Sequence, residues 1–470
     1  MKLYNTLSRT VDEITALDSE KLRIYSCGPT VYDHIHIGNL SSFIFADTLR
    51  RTISVSGTKV EHVMNFTDVD DKTIARSHEK HPELEPKEAL LKLTEKYSHV
   101  FLEDMNAVGN DTEAIKFVKA TENILEMQSL VTNLVSKGFA YIADDGVYFS
   151  IEAYRKSGKT YGQLTDITAS STSEARIQND EYDKESAHDF ALWKKKNKNE
   201  PSWDFELDGI TMDGRPGWHL ECSAMSKAAL GQPFDIHTGG VDLIFPHHEN
   251  EIAQSTATTD DPMFAKYFAH NEHLLIDGKK MSKSLDNFYT LKDITDKGFD
   301  PLAFRLLVLQ AHYRHQAHFS WENLEAAQNR LNGWHAIAAL RWQAIDQELG
   351  DEHGTYVIID GDAVSPLFDD LNTPLALANI SERFTEFSGR LVSKEHVQAF
   401  EEYLTTVDEV LGVNLLGVHD ITYDQKQLLE AREQAREAKD WVKADEIREQ
   451  LINDRIGLRD TEYGAIWFPL

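Results

Sequence analysis

Cysteine is nearly absent from this sequence, because only Cys27 and Cys222 occur among its 470 residues. Two cysteines cannot form the multi-bridge framework of a small secreted domain, so that class of protein is excluded. Three interpretations of the pair remain open: a single disulfide, two buried thiols, or shared ligation of a metal ion. Because disulfides are rare in reducing compartments, we expect the protein to be cytoplasmic.

Long apolar runs are absent as well. No stretch reaches the length of about 18 apolar residues that a membrane-spanning helix requires. The first residues, MKLYNTLSRTVDE, contain no apolar core of a signal peptide. We therefore expect neither a membrane span nor secretion.

Basic residues are few, since 48 Lys and Arg stand against 78 Asp and Glu and give a formal net charge of −30. Phosphates repel an acidic surface, so this balance argues against a non-specific nucleic-acid binder. Any contact with RNA must use local basic faces. Hydrophobic residues make up 41% of the chain, enough for sizeable cores, and the length predicts roughly three or four domains.

Strand and helix patterns alternate in the first hundred residues. Leu22–Ser26 is a short apolar run, Val60–Phe66 is predicted to be the next strand, and Leu40–Arg51 between them has helical spacing. The alternation resumes at Gly217, with a strand predicted at Phe234–His237. This order predicts an α/β fold with a parallel sheet and right-handed crossovers.

Residues 113–205 interrupt the alternation. They are helical at first and then contain the polar run TDITASSTSEARIQNDEYDKES, which predicts a loop or flap within an insertion. After about Pro301 the chain becomes helical, and Ser320 is a candidate N-cap. The residues expected on the buried face of that helix are Leu324, Ala327, Leu331 and Trp334.

The first candidate phosphate site is His36-Ile37-Gly38-Asn39, a turn between a predicted strand and a predicted helix. The first backbone N–H groups of a helix attract phosphate oxygens, and His36 and Asn39 would add side-chain donors. Alone, this four-residue pattern is weak evidence. A histidine at a helix start is more often a cap or a packed side chain.

The second candidate is Lys280-Met281-Ser282-Lys283-Ser284. Two lysines three residues apart, beside glycine and serine, suit a mobile loop that neutralises a triphosphate; the alternative is a solvated loop. Together with the turn at His36–Asn39, on either side of an interrupted α/β sheet, this segment resembles the two signature motifs with which class I aminoacyl-tRNA synthetases clamp ATP.

The second cysteine lies in the segment GWHLECSAM, 25 residues before His247 in FPHHENEI. A proline favours the first turn of a helix, so Pro246 predicts a helix that places His247 and Glu251 on one face. With Cys27 and Cys222 they form a chemically sensible zinc set. The spacing is not that of a zinc finger, so two inert cysteines beside a solvated His-His-Glu remain an alternative.

Six segments, in order, resemble the successive motifs of the cysteinyl-tRNA synthetase family. They are CGPTVYDHIHIGN, NFTDVDDK, DFALWK, GRPGWHLECSAM, FDIHTGGVDLIFPHHENEIAQ and KMSKSLDNF. The resemblance covers nearly the whole chain. It implies a Rossmann-type parallel-sheet catalytic domain interrupted by an insertion, followed by an α-helical bundle and a small C-terminal anticodon-binding domain.

The resemblance also implies domain boundaries. The expected parts are the first half of the catalytic domain (1–112), the connective insertion (113–205), the second half of the catalytic domain (206–275), the KMSKS loop and stem-contact region (276–318), the helical bundle (319–400) and the anticodon-binding domain (401–470).

The same resemblance implies individual site residues. The implied zinc ligands are Cys27, Cys222, His247 and Glu251. The implied catalytic residues are His36, Asn39, Lys280 and Lys283, and the implied ATP contacts are His36, Gly38, Asn39 and Lys283. The implied lining of the amino-acid pocket is Gly28, Thr30, Thr67, Trp218 and His237.

The implied activity joins L-cysteine to ATP and then transfers the cysteinyl group to the 3′-terminal adenosine of tRNA(Cys). The expected cofactors are one Zn²⁺ per chain and ATP with Mg²⁺, and we expect a monomer. A thiol becomes a thiolate readily when it meets zinc, whereas serine's hydroxyl is a weaker acid. A site built on one strong polar contact can reject the analogue that lacks it by roughly 10⁴–10⁵.

A basic face is expected in QLLEAREQAREAKDWVKADEIREQL, where Arg432, Arg436, Lys439 and Lys443 are spaced to line one side of a helix. A solvated helix with i,i+4 ion pairs is the alternative. The resemblance places this segment in the anticodon-binding region, so we predict tRNA contacts by Arg432, Arg436 and Lys439. The segment Lys194–Lys198 is a weaker candidate for contact with the acceptor end.

Departures from the family pattern are few: Asn39 stands where many class I enzymes have histidine, and Asp286 stands where glycine is usual. Two alternative functions remain. One is the cysteine ligase of the mycothiol pathway, which forms the same adenylate but uses an amino-sugar acceptor and lacks the C-terminal part. The other is a non-catalytic RNA-binding paralogue, which would be expected to have lost a zinc ligand or a phosphate-binding lysine.

Overall fold

A five-stranded parallel sheet forms the centre of the catalytic region. The computed structural model describes residues 1–18, 20–165, 189–276, 278–281, 287–345, 361–387, 391–461 and 464–470. The elements up to the fifth strand of the chain are β1 (Lys2–Asn5), β2 (Thr10–Glu13), β3 (Leu22–Ser26), α1 (Ile37–Val55), β4 (Val60–Phe66), α2 (Asp71–Lys80), α3 (Pro86–Ala107) and β5 (Ile115–Lys119). The predicted strands β3 and β4 are confirmed, and the predicted helix is confirmed within the longer α1.

The next elements build a smaller antiparallel sheet and return to the central one. They are α4 (Ile124–Ser136), β6 (Ala140–Ala143), β7 (Gly146–Phe149), α5 (Ile151–Lys156), β8 (Phe190–Lys195), β9 (Glu206–Leu207), β10 (Ile210–Thr211), β11 (Gly214–Pro216), α6 (Trp218–Leu230), β12 (Phe234–Gly240), α7 (Glu249–Thr256) and β13 (Ala265–Asn271). The segment Ile244–His248, which is kinked at Phe245 by extended backbone (φ −139°, ψ 134°), leads into α7.

The strand order of the central sheet is β13-β12-β3-β4-β5, and every neighbouring pair is parallel. From β3 the chain builds outward through β4 and β5, whereas β12 and β13 extend the sheet in the other direction. A crevice therefore opens between the carboxyl ends of β3 and β12, where open α/β sheets bind ligands. The predicted α/β class is confirmed.

The smaller sheet has the order β11-β8-β7-β6 and lies in the region where an insertion is predicted. Strand β5 belongs to the central sheet although it follows residue 113, because its backbone pairs with β4. The sequence prediction missed it because Ile115–Lys119 is short and only partly buried. Apart from Thr165, the polar run predicted as a flap lies outside the described residues, and the domain boundaries remain a prediction.

Helices dominate the rest of the chain. The elements are β14 (Leu274–Ile276), β15 (Lys279–Lys280), α8 (Leu291–Asp296), α9 (Pro301–Leu309), β16 (Ala317–Phe319), α10 (Trp321–Ala338), α11 (Thr373–Phe387), α12 (Val397–Leu411), α13 (Tyr423–Glu437), α14 (Trp441–Asn453), β17 (Ile456–Thr461) and β18 (Gly464–Pro469). Ser320 caps α10 by accepting a hydrogen bond from the Asn323 N–H, as predicted. The four residues expected on the buried face of α10 are all buried. Among the described residues, no helix is long and apolar enough to cross a membrane.

The predicted continuous basic face at the C-terminal end is wrong. Helix α13 ends at Glu437, Lys439 has a positive φ of 63°, and α14 begins at Trp441. Arg432 is 3% exposed and binds both carboxylate oxygens of Asp460, at 2.7 and 2.9 Å. The spacing failed because a turn, not a helix, connects the two halves and reorients the later lysines.

Arg436 also binds Asp460, so this carboxylate on β17 holds two arginines of α13. The bonds from Arg432 and Arg436 lower the pKa of Asp460 to about 2. Lys439 lies on the exposed side of the turn, and the indole of Trp441 beside it is 58% exposed. Of the predicted tRNA contacts, Arg432 is therefore a packing residue of the C-terminal unit, and Lys439 is the one that faces solvent fully.

Candidate active site

A cleft of about 610 Å³ opens at the crevice between β3 and β12. The predicted site residues that line it are Cys27, Gly28, Thr30, His36, Asn39, Trp218 and His247. They come from widely separated parts of the sequence, and the crossover at the switch point of the sheet brings them together.

Two predicted pocket residues lie behind the wall of the cleft and do not line it. Thr67 is 2% exposed, and its hydroxyl donates to Oε2 of Glu221 at 2.9 Å. His237 is completely buried, and its Nε2 lies 2.8 Å from Oε2 of Glu251. Both residues support neighbouring groups instead of presenting their side chains to the cleft.

The four predicted zinc ligands meet at one end of the cleft. Cys27 follows β3, Cys222 lies on α6, His247 lies in the kinked segment before α7, and Glu251 lies on α7. Their donor atoms all lie within 4.8 Å of one another. The prediction that His247 and Glu251 share a helical face agrees with the 3.0 Å between Nε2 and Oε1.

The spacing of the two thiols fits a tetrahedral metal. Two thiolates bound to one zinc at about 2.3 Å lie about 3.8 Å apart. The Sγ atoms of Cys27 and Cys222 are 3.8 Å apart, and both cysteines are free. Glu251 Oε1 is also 3.8 Å from the Cys27 Sγ. The two thiols therefore already have the separation that a zinc ion requires.

A second set of donors overlaps the first, because Cys27, His237, His248 and Glu251 also lie within 4.8 Å of one another. Nδ1 of His237 bonds to the Tyr25 carbonyl oxygen at 3.0 Å, so this ring is held between two acceptors. The first set supplies two thiols, which zinc prefers, and the second supplies only one. His237 and His248 are better explained as partners of the ligands.

Electrostatics favour positive charge at this place. Burial alone would raise the pKa of Glu251, but the charges of His237 and His247 and their hydrogen bonds outweigh burial and lower it to about 2. Burial alone would lower the pKa of His247, but Glu251 and Cys222 raise it to about 10. Glu251 therefore keeps its negative charge in the buried site, and a bound cation would take the place of the proton on His247.

The two thiols are not equivalent. Burial and the nearby Cys222 raise the pKa of Cys27 above its ordinary value. The hydrogen bond from Cys27 lowers the pKa of Cys222 to about 6, although burial opposes this shift. One thiolate therefore forms readily while the second is disfavoured by the charge of the first. A divalent cation between them removes that repulsion, so both can ionise.

Further histidines surround the four donors, although the sequence pattern does not indicate them as functional. His219 Nδ1 lies 2.9 Å from His247 Nδ1, and His248 Nδ1 lies 2.8 Å from His270 Nε2. Such partners of a metal-binding ring fix its orientation and tautomer. The motif FPHHENEI contains His248, but no local pattern shows that His219 and His270 reach the same place.

Trp218 lines the cleft beside the candidate metal centre. Its indole stacks on the His247 ring with centroids 4.0 Å apart and an interplanar angle of 24°. Gly28 and Thr30 line the same wall. At Gly28 a Cβ atom would lie 1.7 Å from the Asn65 carbonyl oxygen, so only glycine allows the strand ends to approach this closely.

The other end of the cleft carries the predicted phosphate turn. His36 is the N-cap of α1, and its Nδ1 accepts a hydrogen bond from the Asn39 N–H at 3.1 Å. The capping role was the alternative that the sequence left open, and it fixes His36 at the rim of the cleft. Lys283 lies outside the described residues, as does Asp286, and of Lys280 only the backbone in β15 is described.

Two family models match the chain. Residues 13–329 match the model described as "tRNA synthetases class I (C) catalytic domain", and residues 419–467 match "Cysteinyl-tRNA ligase anticodon binding domain". The first match contains all four candidate zinc ligands. The second contains the turn at Lys439 and the exposed Trp441.

Relatives give the same assignment, and a solved structure shares the fold. A "Cysteine--tRNA ligase" of Leptospira interrogans serovar Lai is 38% identical over 485 residues, covering 99% of both chains. One of Chlamydia muridarum is 39% identical over 481 residues, covering 98% of both. Methionyl-tRNA synthetase of Mycobacterium tuberculosis bound by methionyl-adenylate shares the fold, with a TM-score of 0.59 at 13% identity over 84% of this chain and 93% of that one.

Proposed function

The chain belongs to the class I tRNA synthetases of the cysteinyl type, and from this membership we propose how its cleft performs the reaction. The protein is an ATP-dependent cysteine–tRNA ligase, which charges tRNA with cysteine. We propose that the thiol of the substrate is selected at the four-donor cluster and that ATP lies along the cleft toward α1. The observation that carries this proposal is the cluster of two thiols, an imidazole and a carboxylate at one end of the cleft.

The cluster would hold one Zn²⁺ through Cys27, Cys222, His247 and Glu251. Zinc bound there supplies a Lewis acid that stabilises the substrate's sulfur as a thiolate. The chain's own residues position that sulfur, because Gly28, Thr30 and Trp218 line the adjoining wall. Serine lacks a group that ionises as readily, so this single contact removes the need for a separate editing site.

The α1 end of the cleft would hold the triphosphate of ATP with its Mg²⁺. His36 and Asn39 line the cleft at the N-terminus of α1, the positive end of the helix dipole, which favours an anion. Gly38 has no Cβ in this turn, so phosphate oxygens can approach its backbone closely. Lys280 and Lys283 are proposed to neutralise the charge that develops on the departing pyrophosphate.

No side chain of the protein needs to act as a nucleophile. The carboxylate of cysteine attacks the α-phosphorus of ATP to give cysteinyl-adenylate and pyrophosphate. A ribose hydroxyl of the tRNA's terminal adenosine then attacks the carbonyl carbon of the adenylate, and AMP leaves. Catalysis is therefore mainly positioning and charge stabilisation. The match of residues 419–467 to an anticodon-binding model disfavours an amino-sugar acceptor. The presence of every expected zinc ligand disfavours a non-catalytic paralogue.

For tRNA binding we propose the turn between α13 and α14. Lys439 faces solvent there, and the exposed indole of Trp441 offers a surface on which an unstacked base can lie. Arg436 adds positive charge nearby but shares it with Asp460. We further propose a monomer in the cytoplasm, since one chain supplies every residue of the site and tRNA charging serves translation. Light scattering at working concentration tests the monomer.

Pyrophosphate exchange with each of the twenty amino acids tests the proposed function. Cysteine alone should support exchange, and purified protein should contain about one zinc per chain. Cys222→Ser should lose the metal and weaken the use of cysteine far more than the binding of ATP. Protein that contains no zinc and still activates cysteine selectively would contradict the proposed metal centre.

Lys283→Ala tests the phosphate end separately. If this lysine acts mainly as pyrophosphate departs, the substitution should lower the rate of adenylate formation more than it raises the KM for cysteine. An unchanged exchange rate would show that another segment neutralises the triphosphate.

A further inference from the structure

The candidate metal centre takes its two thiols from segments far apart in the chain, and hydrogen bonds join the residue after the first cysteine to the residue before the second. The Gly28 N–H donates to Oδ1 of Asn65 at 2.9 Å, and Nδ2 of Asn65 donates to Oγ1 of Thr67 at 3.1 Å. The Thr67 hydroxyl donates to Oε2 of Glu221 at 2.9 Å. We call these four residues the Asn65 chain.

The direction of each bond in the Asn65 chain is determined by its chemistry. The Gly28 N–H can only donate, so the amide oxygen of Asn65 faces it and the amide nitrogen faces Thr67. The Thr67 oxygen accepts from that nitrogen, so its own proton points to Glu221. Asn65, Thr67 and Glu221 are 1%, 2% and 0% exposed, so water does not compete for these bonds.

The backbone of Thr67 fixes the wall of the cleft as well. Its N–H donates to the Pro29 carbonyl oxygen at 3.1 Å, and its carbonyl oxygen accepts from the Val31 N–H at 3.2 Å. The segment that contains the first thiol is thus bound to the end of β4 through both its backbone and the Asn65 side chain. It has little freedom to shift relative to α6.

Stability of the fold does not explain the presence of Glu221. Its Oε1 has no hydrogen-bond partner among the described residues. A buried polar atom without a partner costs free energy, which an apolar residue would avoid. Its position on α6, directly before a thiol ligand, indicates another role.

We propose that Asn65, Thr67 and Glu221 are positioning residues that set the separation of the two metal-binding thiols, 3.8 Å between their Sγ atoms. This inference rests on the proposed zinc centre. Each end of the Asn65 chain is one residue away from a thiol ligand, so breaking the chain frees the two segments to move apart. Outer partners of metal ligands typically change metal affinity by about 10–100-fold when they are removed.

The test compares variants that remove hydrogen bonds of the Asn65 chain with variants that retain them. Asn65→Leu and Thr67→Val remove hydrogen bonds at nearly constant volume, whereas Thr67→Ser and Glu221→Gln keep a hydroxyl or an acceptor oxygen. The matched control is Tyr154→Phe, which removes a buried 2.8 Å hydrogen bond to Thr256 that is not part of the Asn65 chain. Zinc affinity is measured on each full-length protein by competition with a chromophoric chelator, and the Co²⁺-substituted proteins are compared by absorption spectroscopy.

We expect Asn65→Leu and Thr67→Val to weaken zinc binding by about 10–100-fold and to alter the thiolate-to-cobalt bands. Thr67→Ser, Glu221→Gln and Tyr154→Phe should bind zinc nearly as the parent does. Circular dichroism of the metal-free proteins checks the fold, and if Asn65→Leu does not fold, the pair Thr67→Val and Thr67→Ser decides.

Different results would contradict the proposed function and the positioning role of the Asn65 chain. A parent protein that binds no zinc contradicts the proposed function and this inference together. A parent that binds zinc, with a Thr67→Val variant that binds it equally tightly and gives the same cobalt spectrum, contradicts the inference alone.

Discussion

A buried arginine on α9 connects the catalytic sheet region with the helical bundle, and its removal tests how strongly the two are joined. Arg305 and Asp47 are both 0% exposed, and Nη2 lies 2.6 Å from Oδ2. Nη1 donates to Oδ1 of Asn110 at 2.6 Å and to the Val108 carbonyl oxygen at 3.2 Å, and Nε donates to the Leu411 carbonyl oxygen at the end of α12.

The change is Arg305→Met, which keeps much of the side-chain volume but removes the guanidinium. Breaking a buried ion pair costs about 3–5 kcal/mol when the remaining charge is left alone. Here Asp47 keeps Arg50 at 3.0 Å and Arg51 at 2.7 Å, so its charge stays compensated. Three backbone or amide oxygens, however, lose a donor. We therefore expect Arg305→Met to reduce the free energy of unfolding by about 3 kcal/mol, the lower end of that range.

Asp47→Asn gives an independent check of the same reasoning. Burial alone would raise the pKa of Asp47, but the charges of Arg305, Arg51 and Arg50 outweigh burial and lower it below its ordinary value. The carboxylate is therefore charged at neutral pH, and its neutralisation leaves the fully buried Arg305 without an anion. This variant should lose at least as much stability as Arg305→Met, and the double variant should lose less than the sum.

Urea unfolding followed by fluorescence and by circular dichroism measures the free energy of unfolding of each variant. The control is Lys156→Met, which breaks an ion pair whose partners are 74% and 76% exposed, and it should change stability by less than about 0.5 kcal/mol. A loss below about 1 kcal/mol for Arg305→Met would refute the view that this cluster holds the bundle to the catalytic region.

Three further predictions concern other parts of the chain. Gly28→Ala should reduce cysteine activation, measured by pyrophosphate exchange, by about 10²-fold with little effect on the KM for ATP. The new Cβ would lie 1.7 Å from the Asn65 carbonyl oxygen and would displace the cleft wall, so normal activity would contradict this close approach. Burial raises the pKa of Asp104 from 3.8 to about 6, so its ionised form destabilises the fold progressively above pH 3.8 and fully above pH 6. Asp104→Asn should therefore raise the free energy of unfolding by about 1–2 kcal/mol above pH 6 and not below pH 3.8, and an equal gain at both would refute the assignment. Arg432→Met should destabilise the C-terminal unit without changing the salt dependence of tRNA binding. Lys439→Ala should leave stability unchanged and reduce the slope of log K for tRNA binding against log salt concentration by about one. The reverse pattern would support tRNA contact by Arg432.

The local elements near the site could be predicted because their patterns are local. Leu22–Ser26 and Val60–Phe66 are mainly apolar segments of strand length, and the structure has both strands with the predicted bounds. Ser320 precedes a run with helical spacing and caps it as expected. The basic face from Arg432 to Lys443 failed for the opposite reason, since spacing alone does not reveal that Lys439 adopts a positive φ and ends the helix.

The motifs were enough to identify the family and to name the proposed ligands, because motifs and donor atoms belong to the residues themselves. The side chains that support those ligands could be identified only from the folded molecule. Nothing near His219 or His270 in the sequence shows that each meets a histidine of FPHHENEI, and nothing near Asn65 shows that it links two thiol-bearing segments. These contacts join residues distant along the chain, and the packing of α6 and α7 against the switch point of the sheet creates them.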